Sequence, residues 1–196
     1  MEPLFRKKNY QLSDLRKAFG MDKRGLIHLY YGDGKGKTTA ALGLTIRALG
    51  SGFKVVFVQF LKNQPTGELS ILDGFPNVTV LRGKEGAGFS FAMTEEEKEN
   101  TRLLHTENLK AAIALAASGN CDMLVLDEAV GAYARDLIDK ALFENFVQNK
   151  PEQLELVMTG RNPAQWMTDC ADYVSEIKKV KHPYEKGIPA RIGIEK

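Results

Sequence analysis

Gly32-Asp33-Gly34-Lys35-Gly36-Lys37-Thr38-Thr39 gathers three glycines, two lysines and a Gly-Lys-Thr ending into eight residues. A segment of this kind, set between a strand and the start of a helix, is built to hold phosphate. Its glycines let backbone amides turn inward, and the helix N-terminus favours negative charge. Lys37 is then expected to neutralise phosphate oxygens and the Thr38 hydroxyl to hold Mg2+, with Mn2+ as the alternative ion. Leu124-Val125-Leu126-Asp127-Glu128 is the second chemical element, an apolar run ending in two carboxylates. Acids at a strand's carboxyl end coordinate a metal directly or through water; their competing role is to cap the next helix.

The loop departs from the usual spacing. A standard loop has four residues between its first glycine and Gly-Lys-Thr, which would put that glycine at position 31, where Tyr31 stands. Counted from Gly32, the cradle is one residue short and carries Lys35 as a second lysine. Phosphates should therefore not lie in it as they lie in an ordinary hydrolase. Elsewhere the chemistry is sparse. His28 falls in a strand, His105 in a long helix and His182 between Lys181 and Pro183, with no metal-ligand spacing and no Ser-His-Asp or Cys-His order.

The elements that must position these groups alternate from about residue 25 onward. Strands are expected at Leu26–Tyr31, Lys54–Phe60, Val78–Leu81, Met123–Leu126, Glu155–Thr159 and Tyr173–Ile177. Helices are expected from Thr38 to Leu49, from Thr94 to Gly119 and from Ala134 to Asn149, with a short one opening near Pro163. Glu97 stands three residues after Thr94, the spacing of a capping box. Near-continuous apolar strands alternating with helices make a parallel sheet covered on both faces, with ligands beyond the strands' carboxyl ends. The expected architecture is an α/β three-layer fold of the P-loop NTPase (RecA-like) type, with a mainly parallel sheet of about six strands. Leu61 to Gly88, with its glycines and prolines, is the expected active-site loop system.

Composition narrows the classes further. The 196 residues are 43% hydrophobic and 27% charged, enough for one cored domain and inconsistent with a disordered or fibrous chain. No long uncharged apolar run crosses a membrane, and Met1 to Lys8 lacks the apolar stretch of a secretory signal. Cys121 and Cys170 stand apart, so neither a zinc ribbon nor a disulfide framework is available and a cytoplasmic location is expected. A net charge of +2 hides an asymmetry. Residues 1–24 hold seven basic against three acidic groups and residues 178–196 hold six against two, leaving an acidic middle. These basic ends are either solvated or reach an anionic ligand; a dedicated nucleic-acid partner is not expected. The division is therefore a basic N-terminal arm, 1–24, and a catalytic domain, 25–196.

From Arg24 onward the chain resembles the corrinoid adenosyltransferases of the CobA/BtuR type. The carriers are Gly32 to Thr39, Gln59-Phe60-Leu61-Lys62 with Gly67-Glu68, Gly88-Phe89-Ser90-Phe91, Val125 to Glu128, Thr159-Gly160-Arg161, and Val180-Lys181-His182 leading to Gly187-Ile188 and Ile192-Gly193-Ile194. The shortened loop is part of that family's pattern. The resemblance implies transfer of the 5′-deoxyadenosyl group of ATP to the Co(I) of a corrinoid such as cob(I)alamin, with release of triphosphate. Cobalt is then the nucleophile, so no amino-acid nucleophile is required. It further implies ATP contacts from Gly32, Asp33, Gly34, Lys35, Gly36, Lys37, Thr38, Thr39 and Arg161, and catalytic roles for Lys37, Thr38 and Glu128. Thr38 and Glu128 are the expected metal ligands, Glu128 with a ribose contact as its other role and Asp127 as a water-mediated partner. Gln59, Lys62 and Glu68 should border the nucleotide. Phe89 and Phe91 align with an aromatic pair at the lower corrin face, where many members carry Trp at the position of Phe91. A homodimer and a flavodoxin or flavin reductant are implied by the same likeness.

Two other readings remain at this stage. A nucleoside kinase or NTPase also carries Asp-Glu-Ala after an apolar strand, although thymidine-kinase-like enzymes add a cysteine-rich zinc lasso that two isolated cysteines cannot make. A non-catalytic ATP- or corrinoid-binding module is the other.

Overall fold

A computed structural model of the chain describes residues 24–62, 66–83 and 93–195. The expected arm, 1–24, lies outside them except for Arg24, as do Phe89 and Phe91. Six strands form one sheet: β1 (Ile27–Tyr31), β2 (Val55–Gln59), β3 (Val78–Arg82), β4 (Met123–Asp127), β5 (Glu155–Gly160) and β6 (Tyr173–Glu176). Their order is β3-β2-β4-β5-β1-β6, and every pairing is parallel. This is the three-layer α/β architecture expected, and the alternation of side chains explains it.

Within β2, β4 and β5, successive residues feed two separate cores because strand side chains alternate faces. Val55, Phe57, Met123, Val125 and Val157 pack against α1 (Lys37–Gly50) and α2 (Gly67–Leu72). Val56, Val58, Leu124, Leu126, Leu156 and Met158 pack on the opposite face. There they meet α3 (Glu95–Ala117), α4 (Ala129–Ala134), α5 (Lys140–Gln148) and α6 (Gln165–Cys170). Central strands buried on both sides read as continuous apolar runs for this reason. Truncating any of their fully buried leucines to alanine should cost about 2–5 kcal/mol.

Helix α3 begins as its sequence specifies. The Thr94 side chain accepts from the Glu97 amide, and the Glu97 carboxylate accepts from the Thr94 amide at 2.7 Å. Of the helix expected from Ala134 to Asn149 only Lys140–Gln148 (α5) forms; Ala134 ends α4, and a turn over 135–139 separates the two. Asp136 takes a φ of 58°, and Asp139 caps α5 by accepting from the Leu142 amide at 2.9 Å. Leu137 and Ile138 suit a helical period but fill the core from the turn, each 2% exposed. In the expected loop system, the described residues hold α2 and β3. Among the described residues, no helix is long and apolar enough to cross a membrane.

Candidate active site

The loop after β1 lies at the carboxyl edge of the sheet, and its three glycines answer to different constraints. A Cβ on Gly32 or Gly34 would sit 2.4 or 2.8 Å from the Ile177 carbonyl oxygen, far inside van der Waals contact. On Gly36 it would meet nothing within 4 Å, but φ there is 126°, a conformation that L side chains avoid. Gly32 and Gly34 are thus required by the backbone that follows β6, and Gly36 by the turn into α1.

That following segment straps the loop. The Gly34 amide donates to Ile177 O at 2.8 Å, and the Lys179 amide donates to the Asp33 carboxylate at 2.9 Å. The Lys179 amide is the main reason why the Asp33 carboxyl is held below its ordinary range. Lys37, 6% exposed, turns its ammonium back onto Gly34 O at 2.8 Å. Burial pushes the Lys37 pKa down, while Glu128 pulls the other way. An ammonium held on its own loop's carbonyl is positioned to exchange that oxygen for a phosphate oxygen.

Behind the loop stands Asp127, the last residue of β4 and fully buried. Its Oδ1 accepts from Thr38 Oγ1 at 2.9 Å and from Thr159 Oγ1 at 2.8 Å. Its Oδ2 accepts from Lys62 Nζ at 2.9 Å and from Gln59 Nε2 at 3.5 Å. Lys62 also donates to Thr38 Oγ1 at 3.1 Å. Three segments far apart in sequence therefore meet on one carboxylate. Thr159 also accepts from the Glu128 amide at 2.9 Å, which ties β5 to the turn after β4.

Glu128 occupies that turn in the left-handed region, φ 61°, and its side chain makes no capping hydrogen bond to α4. The helix-capping alternative is therefore not the role it takes here. Burial, then the neighbouring Asp127, pushes its pKa up; Lys62, Lys37 and Arg161 pull it down. Arg161 is exposed just beyond β5, near enough for its charge to act on Lys37, Asp33 and Glu128. Lys35 and Thr39 are exposed on the loop and at the start of α1. Gln59, 1% exposed, leaves its Oε1 without a hydrogen-bond partner beside Asp127.

The expected set Gly32 to Thr39, Glu128 and Arg161 is thus gathered at one edge of the sheet. Sequence reasoning gave Thr159 no role and Lys62 only a border position. The adjacency of Gln59 and Asp127 in the β2–β4 register places Lys62, three residues past Gln59, at this site. Of the three histidines, His28 and His105 are held away from the loop, while His182 lines a cavity that Lys35 also borders. His28 donates to Glu155, His105 Nδ1 donates to Leu137 O at 2.8 Å, and His182 Nδ1 accepts from the Tyr184 amide at 3.2 Å.

With this geometry in place, comparison with known proteins identifies the lineage. A family model for ATP:corrinoid adenosyltransferase BtuR/CobO/CobP matches residues 23–195. The chain belongs to that family. Among its relatives, the corrinoid adenosyltransferase of Escherichia coli (strain K12) is 34% identical, over 93% of this chain and 91% of the relative. Its counterpart in Pseudomonas aeruginosa is 33% identical over 93% of this chain and 89% of the relative. Corrinoid adenosyltransferase CobA of Salmonella typhimurium is also 33% identical, over 93% and 91%. The family description names ATP:corrinoid adenosyltransferase, and these three relatives are named corrinoid adenosyltransferases. In this chain the glycine-rich loop is strapped by the segment that follows β6.

Proposed function

We propose that the chain transfers the 5′-deoxyadenosyl group of ATP to the Co(I) of a reduced corrinoid and that the residues gathered at the loop perform the positioning. The cobalt–C5′ bond forms as the C5′–oxygen bond breaks, and the electron pair leaves on the triphosphate. Since the corrinoid substrate supplies the nucleophile, the protein's work is to aim C5′ and to stabilise charge on the leaving group. Lys37, Lys35 and the loop amides suit the second task, with Arg161 as a planar clamp on phosphate. The observation that carries the reading is the family match across residues 23–195.

The donor set fits a hard divalent cation such as Mg2+. Thr38 Oγ1 and Asp127 Oδ1 lie 2.9 Å apart, and the Lys62 ammonium already bridges Thr38 and Asp127 as an internal stand-in. Among the described residues no three His, Cys, Asp or Glu side chains converge on a metal position. Oxygen ligands from nucleotide and water must complete the shell, which is the usual habit of Mg2+. When bound, the ion would neutralise charge on the triphosphate. Thr38 would hold it, Asp127 would orient its water, and Glu128 would serve as a further ligand or ribose contact.

Phe89 and Phe91 belong to the same reading as an apolar wall against the lower corrin face. A homodimer, a flavodoxin or flavin reductant and a cytoplasmic location complete it, each by likeness to the family. The test is a spectroscopic assay with ATP, Mg2+ and chemically reduced cobalamin. A light-sensitive adenosylated product with stoichiometric triphosphate is expected. ADP or phosphate without a spectral change would return the kinase or NTPase reading, and ATP binding without turnover would leave a binding module.

A further inference from the structure

The Lys62 ammonium occupies an unusual position for a lysine that follows a strand. It lies 2.9 Å from Asp127 Oδ2 and 3.1 Å from Thr38 Oγ1, between the two groups best suited to a hard cation. Asp127 is fully buried, and a buried carboxylate needs a cationic or hydrogen-bonding partner at all times. The side chain of Lys62 is itself 28% exposed, so it can leave without opening the core.

Its approach is also built. Leu61 adopts a φ of 57°, and its amide donates to His105 Nε2 at 3.4 Å. The His105 ring is held from its other side by Leu137 O, and burial lowers its pKa, so the neutral ring keeps Nε2 as an acceptor. A left-handed turn latched by a buried histidine therefore carries the chain from β2 to Lys62.

We propose that Lys62 is an internal counter-ion that holds the cation position while nucleotide is absent and yields it to the divalent ion when the metal–ATP complex enters. The proposal rests on the reading of Thr38 and Asp127 as the metal-holding pair. The two cations cannot share the position, because like charges a few ångströms apart repel strongly in a partly buried site. Metal without nucleotide must displace Lys62 unaided; metal with ATP brings phosphate oxygens that receive the released ammonium. The device therefore couples metal entry to nucleotide entry and keeps Asp127 neutralised in both states.

The test uses the whole, nucleotide-free protein and Mn2+ alone, with bound ion read by electron paramagnetic resonance. Lys62→Met should bind Mn2+ at least about tenfold more tightly than the wild type, since the competing charge is gone. Lys62→Arg should bind no more tightly than the wild type, and adding Asp127→Asn to Lys62→Met should abolish the gain. Thermal melts should show Lys62→Met destabilised without metal and raised by Mn2+ more than the wild type. If Lys62→Met does not fold, Lys62→Gln, which retains a donor to Asp127, repeats the measurement. Equal or weaker Mn2+ binding by the folded neutral variant overturns the proposal. The adenosyl-transfer reading is judged separately, by whether wild-type protein forms adenosylated corrinoid.

Discussion

Carboxylates beside the strand ends are held differently at the two ends of the parallel sheet, although Asp33, in the loop after β1, also takes a backbone partner. At the amino end, carboxylates are joined to backbone. Glu155 Oε2 accepts from the Leu26 amide, Asp172 Oδ2 from the Ile27 amide and Asp122 Oδ2 from the Lys54 amide, each at 2.8–2.9 Å. Lys150 closes the same end by donating to Gly25 O at 2.7 Å. At the carboxyl end, the Asp127 carboxylate accepts, among the described residues, from side chains alone. Beside it Glu128 caps nothing, Gln59 Oε1 has no hydrogen-bond partner and Lys37 bonds its own loop. Backbone partners cannot be exchanged without undoing a strand, whereas side-chain partners can be traded for a ligand. The amino end is therefore a splice between strands and the carboxyl end a site, which is the general polarity of parallel α/β sheets.

Lys37→Ala is the sharpest way to break that contrast. Product formation should fall by about 10²–10³-fold or more, as expected when a preorganised donor to developing charge is lost. The variant should still fold, with a melting temperature lowered modestly because a buried side chain is truncated and Gly34 O loses its partner. Normal Mg–ATP turnover by this variant, measured by the same spectroscopic assay, would remove the loop from the mechanism. Asp127→Asn should come next. It preserves shape but removes the charge that holds Lys62, and turnover should drop roughly 10–100-fold, the usual cost of altering a group that orients a metal's ligands. Mn2+ titration in the presence of ATP should show the metal requirement moving to higher concentration.

Phe91→Ala probes the region beyond β3 and should have a narrower effect. Adenosylation starting from a Co(II) corrinoid with a reductant should slow by about tenfold, since an apolar wall that excludes water is lost. ATP affinity, measured by calorimetry, should change little. Equal losses in both would place Phe91 in the protein core and not at a corrin face.

The parts of this contrast that were readable from sequence are those written locally. The capping box at Thr94 and Glu97, the apolar runs of β2 and β4 and the Gly-Lys-Thr entry into α1 each depend on residues within a few positions of one another. The break between α4 and α5 was not readable, because Leu137 and Ile138 satisfy a helical period while the Asp139 cap and the buried turn override it. Nor was the cluster on Asp127. Thr38, Gln59, Lys62 and Thr159 come together only through the strand order β2-β4-β5-β1, and a lysine after a strand otherwise reads as solvated. The glycines were half legible. Their presence signals a phosphate loop, but that Gly32 and Gly34 also yield space to Ile177 is visible only once β6 is paired with β1.

Glu155→Ala should produce the smallest functional effect and sharpen the contrast from the other end. The variant leaves the Leu26 amide and the His28 ring without their carboxylate, costing about 1–3 kcal/mol of stability for buried partners left unmade. Turnover of the folded protein should be unchanged, since nothing at the carboxyl end is touched. Its pH dependence provides the sign. Burial alone would raise the Glu155 pKa, but the hydrogen bonds from His28 and the Leu26 amide, with the charge of Lys150, leave it lowered. A carboxyl whose folded pKa lies below its unfolded value contributes stability that is fully present above the unfolded value, about 4.3, and is lost as pH falls through the folded one. The wild type should therefore be more stable than Glu155→Ala at neutral pH, with the gap closing below about pH 4 in denaturant melts. A gap that widened on acidification would mean that the carboxylate is held against its preference, and the amino end would then be a second strained site and not a splice.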